Sequence, residues 1–278
     1  MRCSTPRCRI LDEARRRYLR QQIELGGAEV VLGEAESVVS APEPMPAPGN
    51  GAAMGSKGGG ARPGTEKWRV GAPPIPGPGL AVRSPAAAPG RDPLAGLDTL
   101  EKLAKRITST YCCGLCPART NAVPGEGSPK ADLVLVGEGP GATEDETGRP
   151  FVGAAGRLLD EILAAVGLAR EGVFICNVVK CRPPQNRKPL PDEIAACIPY
   201  LHRQLAVIRP KVIMTLGGTA AEALLGTKQS LGKLRGLVHT YDEIPLVATY
   251  HPAALLRNPN WKKPTWDDVR IARQLLDR

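Results

Sequence analysis

From about residue 93 onward, apolar positions along the chain fall into short runs and helical stripes. Residues 133–136 (LVLV) form an apolar run closed by Gly137, which predicts a buried strand feeding a loop. Over residues 154–166, Leu158, Leu159, Ile162, Leu163 and Val166 recur at helical spacing. Residues 173–179, 212–216 and 246–250 predict three more strands. Pro191 suits the first turn of a helix running to about Ile208. Residues 219–225 predict a short helix, and 265–276 a closing helix with Thr265 as its N-cap. Strands alternating with helices predict an α/β sandwich with a mainly parallel sheet. Ligands of such sheets bind beyond the carboxyl ends of the strands. The loops after Val136, Val179 and Thr249 leave those ends and are expected to converge.

The first 94 residues read differently. Residues 11–22 predict a helix bearing Arg15, Arg16, Arg17 and Arg20, most simply a solvated face. Residues 41–94 carry 12 Pro and 11 Gly in 54 positions, about 43%. That exceeds the roughly 25–30% that marks low-complexity sequence. Such a segment buries too little apolar surface to offset its ordering entropy. The expected organisation is an N-terminal extension (1–40), a disordered linker (41–94) and a globular domain (95–278).

Charge narrows the partners. The chain carries a net charge of +9 and a pI near 9.3, which favours nucleic acid first and an acidic membrane surface second. Aromatic residues make up 4%, so an all-aromatic stacking surface is not expected. No apolar run reaches 18 residues, and the first 22 lack the apolar core of a signal peptide. A cytoplasmic, reducing setting is expected, in which the eight cysteines act as ligands or free thiols rather than disulfides.

Four of those cysteines form a pattern. Cys113 and Cys116 make a CxxC pair, which can chelate one metal centre. Cys181 and Cys197 flank a Pro-rich loop and complete a four-thiolate set. The x2 spacing selects Cys113 over its neighbour Cys112. The spacings alone leave zinc, an iron–sulfur cluster and free thiols open. Cys176 lies inside a predicted strand and reads as a small buried hydrophobe.

The loops carry the remaining candidate chemistry. Gly137-Glu138-Gly139-Pro140-Gly141 lets backbone approach a ligand, and it lacks the Gly-Lys-Ser/Thr ending of a phosphate loop. The acidic run Glu144-Asp145-Glu146 follows. Phe151, set between glycines and Pro150, is a candidate for stacking on a base, with a local core plug as the alternative. Asn177 and Asn186 offer amides that can match a pyrimidine edge. Lys180, Arg182, Arg187 and Lys188 form a basic patch suited to phosphates. His251 follows the last predicted strand, while His202 and His239 lack polar company. Ala253 to Arg257, with Leu255 and Leu256, could wedge into a duplex and fill the gap a flipped base leaves.

Four stretches together resemble the family 4, iron–sulfur type uracil-DNA glycosylases: CGLCPARTNAVPGEG (113–127), GEGPGATEDETGRPFVGAAG (137–156), NVVKCRPPQNRKPLPDE (177–193) and HPAALLRNP (251–259). The resemblance covers roughly residues 95–278. It implies a three-layer sandwich around a central four-stranded parallel sheet. It also implies a structural [4Fe–4S] cluster on Cys113, Cys116, Cys181 and Cys197. By the same resemblance Glu138 matches the first-motif carboxylate, Phe151 the stacking ring and Asn177 the uracil-edge amide; Asn186 and His251 match further active-site positions.

The implied activity is a monofunctional repair hydrolase that flips uracil from DNA, cuts its N-glycosidic bond and leaves an abasic site. Residues 182–191 carry neither histidine nor insert, so turnover is expected rather than a trapped adduct. His251, helped by the Gly139 backbone, would stabilise the leaving base, and Glu138 would place the water. Glu144 is a rival for that role or lines the pocket. Lys180, Arg182, Arg187, Leu255, Leu256 and Arg257 are the expected DNA contacts. A monomer acting at the nucleoid is expected, with repair partners of the N-terminal tail undefined. The alternatives are a non-catalytic nucleic-acid-binding module with a structural metal, and an electron carrier. The globular part's 24 basic against 19 acidic residues disfavour the carrier.

Overall fold

The computed structural model describes residues 67–84, 92 and 94–278. The predicted helix at 11–22, its arginines, Cys3, Cys8 and the remainder of the Pro/Gly-rich stretch lie outside the described residues.

Strands β1 (Pro78–Val82), β2 (Glu126–Gly127), β3 (Leu133–Gly137), β4 (Phe174–Asn177), β5 (Val212–Leu216), β6 (Val238–Tyr241) and β7 (Ile244–Thr249) form one sheet. Their order is β1-β6-β7-β5-β3-β4-β2. The four expected strands are its centre: β4, β3, β5 and β7 all run parallel. Each is buried on both faces, which is why each reads as a continuous apolar run. Val134 and Val136 pack into one core with Leu201, Leu205 and Ala220. Leu133 and Leu135 point the other way, into a core with Leu159, Leu163 and Val269. The period-2 alternation of a strand thus sorts one apolar run into two layers.

Helices α1 (Leu100–Ser109), α2 (Ala142–Thr147), α3 (Ala154–Ala165), α4 (Pro191–Ile208), α5 (Gly218–Leu225), α6 (Leu231–Leu234), α7 (Pro252–Arg257) and α8 (Lys262–Leu276) complete the sandwich. Pro191 opens α4 as expected. Helix α8 begins a turn before the predicted N-cap: the Thr265 hydroxyl donates to the Trp261 carbonyl from inside the helix.

Two expectations are corrected. Among the described residues the sheet has seven strands, not four. Strands β6 and β7 form a hairpin whose two connecting residues, Asp242 and Glu243, both have positive φ (47° and 70°). That is the backbone of a type I′ turn without the glycine that normally announces it. The second correction concerns the linker. Residues 67–84, placed within the disordered segment by composition, build onto the domain. Trp68 is 3% exposed in the core with Val269 and Ile271. Strand β1 pairs with β6, and buried His239 fastens it: Nδ1 accepts from Leu80 N at 3.0 Å, and Nε2 lies 2.8 Å from the Leu234 carbonyl. Gly79 is required there, because a Cβ would collide with the His239 ring. Proline and glycine in this stretch shape an edge strand rather than free chain.

Candidate active site and cysteine lobe

The loops at the carboxyl ends of β3, β4, β5 and β7 enclose one pocket of about 620 Å³. Glu138, Phe151, Asn177 and His251 all line it, so four residues spread over 114 positions meet in one hollow. Gly137 makes the meeting possible. A Cβ at this position would stand 2.6 Å from the Phe151 ring and closer still to Asn177 Oδ1.

Asn177 ends β4 at 1% exposure, and its side-chain oxygen has no hydrogen-bond partner. A buried acceptor left open costs about 1–3 kcal/mol. Glu138 is half-buried, and the Thr219 hydroxyl donates to its Oε2. Thr219 escaped sequence reasoning; its position just past Gly217-Gly218, where β5 ends, was the available signal. His251 caps α7: its Nδ1 accepts from Ala253 N at 3.1 Å, which leaves the ring proton on Nε2. Burial, and then the charge of Arg257, push its pKa down to about 4. The imidazole is therefore neutral and a donor at physiological pH.

Phe151 is 5% exposed, belongs to the core and stacks on His251 with centroids 5.3 Å apart. It has a positive φ of 50°, a strained setting held from two sides. Arg170 donates to the Phe151 carbonyl at 3.1 Å and pairs with Asp160 at 3.0 Å. Glu144 holds the other side. Its Oε1 accepts from Val152 N and Gly153 N, both at 2.9 Å, and its Oε2 from Gly141 N at 3.1 Å. Glu144 thus reaches the pocket wall with both oxygens already engaged. Of the two expectations for Glu144, lining the pocket is what the structure shows, and its carboxylate there ties three backbone N–H groups of the surrounding loops together. Gly139 lines the pocket where any side chain would strike Val179.

The expected DNA contacts divide. Lys180 is 2% exposed, and its ammonium donates to the Asn177 carbonyl and to Gln204 Oε1, both at 2.7 Å. It is a buried strut, not a phosphate contact. Leu255 is 1% exposed inside α7 and cannot act as a wedge, whereas Leu256 is 51% exposed. Arg257 is exposed at the pocket rim. Arg187 also lines the rim, but its guanidinium makes a two-pronged pair with buried Glu193 at 2.6 and 2.9 Å. Asn186 is an exposed rim residue with φ of 55°, accepting from Arg182 at 2.8 Å. Among the described residues, neither Arg187 nor Asn186 hydrogen-bonds to Glu138, Asn177 or His251.

Beside the pocket, the predicted cysteines gather. The Cys116 sulfur lies 3.8 Å from that of Cys113 and 3.7 Å from that of Cys181. Cys197, from α4, is 1% exposed, has Cys113 and Cys181 as electrostatic neighbours, and accepts from the Lys180 backbone N–H. Arg119 donates to the Cys181 sulfur at 3.1 Å. Cys112 is exposed, with its sulfur within 4.8 Å of those of Cys113 and Cys116. Burial raises the Cys181 thiol to about 12 and the Cys197 thiol to about 11. Thiols packed this way fit a positively charged metal centre, which would stabilise them as thiolates. Cys176 is fully buried in β4, as expected for a structural thiol. Among the described residues no helix is long and apolar enough to cross a membrane.

A mainly parallel sheet with a polar pocket at its carboxyl edge and a cysteine lobe alongside defines the class. Residues 124–272, more than half of the chain, match the uracil DNA glycosylase superfamily. A type-4 uracil-DNA glycosylase of Sulfurisphaera tokodaii is 48% identical over 188 residues, covering 64% of this chain and 86% of the relative. That of Thermotoga maritima is 48% identical over 185 residues (65% and 96%), and that of Archaeoglobus fulgidus 43% over 190 (66% and 96%). The chain belongs to the type-4 uracil-DNA glycosylases.

Proposed function

We propose that the chain flips uracil out of DNA into the pocket, hydrolyses its N-glycosidic bond and releases the base, leaving an abasic site. The observation that carries this reading is the open acceptor of Asn177, buried in the same pocket as Glu138 and His251. Uracil presents N3–H as a donor, and cytosine presents an acceptor at that position. An amide oxygen fixed at the end of β4 would accept from uracil and repel cytosine.

Cleavage builds positive charge on the sugar and negative charge on uracil O2. The Nε2–H of neutral His251 would donate to O2 as the bond lengthens. Glu138, with one oxygen held by Thr219, keeps the other for the attacking water and stabilises the cationic sugar. Phe151 supplies a ring beside the base. Leu256 and Arg257 supply the exposed wedge and cation where DNA would lie.

Cys113, Cys116, Cys181 and Cys197 would hold a [4Fe–4S] cluster, whose contribution is to tie the chain before β2 to the segments around α4. One geometric feature favours a second reading. A single zinc with bonds of about 2.3 Å would set its sulfurs about 3.8 Å apart, close to the 3.7 and 3.8 Å seen here. Metal analysis of the purified chain separates the two: about four irons with a broad visible absorbance, or one zinc without colour.

The decisive assay incubates the protein with a uracil-containing oligonucleotide, followed by alkali. Strand cleavage at the uracil is expected, and Asn177→Asp should abolish it or shift preference toward cytosine. Binding without base release would leave the non-catalytic module as the reading. Full uracil selectivity in Asn177→Asp would remove the amide from its role.

A further inference from the structure

A second pair of stacked rings lines the same pocket as the Phe151–His251 stack. Tyr250 ends the chain's exit from β7, one residue before His251. Trp261 closes the turn Pro259–Trp261 that leads into α8. The two rings stack at 4.6 Å with their planes 5° apart. The Arg235 guanidinium lies 4.3 Å from the Tyr250 ring centroid. It is anchored in turn by Asp268 at 2.7 Å and by the Pro264 carbonyl at 2.6 Å. Asp268 is itself 2% exposed and accepts from Thr249 at 2.7 Å.

This ladder is rigid at its inner end and open at its outer one. Trp261 is still 37% exposed although Tyr250 covers one face. Both rings line the hollow that holds Glu138, Asn177 and His251. A cavity of about 620 Å³ is of the size that takes a drug-like ligand rather than a lone pyrimidine. Asn177, Glu138 and His251 suffice to read and cut one base. A preorganised flat aromatic surface, backed by a cation, also lines the hollow, as does Arg257.

We infer that Tyr250 and Trp261 form a second nucleobase subsite, on which the unpaired base next to the flipped uracil stacks. The inference rests on the uracil-excision reading and deepens it. Stacking on an aromatic face is tolerant of base identity, because every base offers a π-face. The subsite would therefore favour strands whose neighbouring base is free to unstack, which is single-stranded DNA over duplex.

The test uses single-stranded uracil oligonucleotides with either an intact base or an abasic spacer on each side of the uracil. For the wild-type chain, the spacer on one side should raise KM about tenfold with kcat held. Trp261→Ala should raise KM on the intact strand by a similar factor and show no further penalty from the spacer. Trp261→Phe should restore most of the loss, which a merely structural role for the indole would not predict together with the spacer effect. Independent, multiplying penalties for the variant and the spacer would overturn the subsite, as would indifference to both spacers. In parallel, tryptophan fluorescence is titrated with the same oligonucleotides. Greater quenching in the wild type than in Trp261→Phe is expected, and equal quenching overturns the inference. If no oligonucleotide loses uracil, the excision reading fails, and the fluorescence arm still decides the subsite.

Discussion

Asn177 and Cys181 are four residues apart, yet their surroundings follow opposite rules. Around the cysteines, donors are committed to partners inside the fold. Arg119 donates to Cys181 and to the Thr108 carbonyl, Lys180 to Asn177 and Gln204, and Gln204 to the Pro124 carbonyl. In the pocket, the side-chain oxygen of Asn177 is buried without a partner, and the polarised N–H of His251 belongs to a ring whose other nitrogen is already used. A satisfied network stabilises a lobe; an open one is kept for something that arrives later. The contrast teaches which of two adjacent polar clusters should carry chemistry and which should carry shape.

Changes on the pocket side should show the largest effects. Glu138→Gln and His251→Ala are each expected to lower single-turnover cleavage about a hundredfold or more, on the order of 3 kcal/mol, while uracil-DNA binding survives. Quench-flow on a labelled oligonucleotide measures both, and unchanged rates in the pair would move the chemistry elsewhere. The same histidine gives a pH signature. Its folded pKa near 4 lies below its ordinary 6.5. Protonation therefore opposes folding, and the stability contributed by the neutral ring is present above 6.5 and lost as pH falls toward 4. The folded chain keeps its donor tautomer down to that limit. The wild-type acid limb assigned to His251 should thus sit near 4 and be missing from His251→Ala; a limb centred near 6.5 would contradict a neutral imidazole.

Much of this contrast was legible in the sequence. The central strands were readable because burial on both faces writes itself as an unbroken apolar run. The convergence of Glu138, Phe151, Asn177 and His251 followed from their loops leaving the same ends of parallel strands. What escaped was structure whose signal is tertiary. Asp242 and Glu243 adopt left-handed turn geometry without glycine, so the β6–β7 hairpin had no local marker. Strand β1 hid in a Pro/Gly-rich stretch because His239, 159 residues away from Leu80, supplies its anchor. Lys180 looks like a surface cation among its basic neighbours, since nothing local reveals that Gln204 waits for it on α4. The sequence leaves Glu144 open between a rival of Glu138 and a pocket wall, because a carboxylate that serves backbone amides looks the same in sequence as one that serves water.

On the side of the cysteine lobe the expected effect is intermediate and structural. Lys180→Met keeps the bulk of the stem but leaves the Asn177 carbonyl and Gln204 Oε1 without their donor. Unmet buried acceptors place the cost at about 1–3 kcal/mol in urea unfolding, against a small change in DNA affinity. The slope of log affinity against log salt should match the wild type, because a buried ammonium displaces no counterions from DNA. A slope reduced by this variant would mean that the side chain meets phosphate after all.

Arg257 supplies the converse and the smallest effect. It is exposed at the pocket rim, beside the exposed Leu256, and nothing in its position suggests a load on the fold. Arg257→Ala should leave urea unfolding nearly unchanged and reduce the salt slope of DNA binding by about 0.7–0.9, one phosphate contact on single or double strands. It should also raise the His251 pKa slightly, since the guanidinium charge is one of the two causes that depress it. The acid limb would then move up in pH, toward but not reaching the ordinary histidine value, because burial is the larger cause and remains. A variant that shifts the limb without changing the salt slope would confine Arg257 to tuning the histidine; one that changes the slope without moving the limb would confine it to DNA.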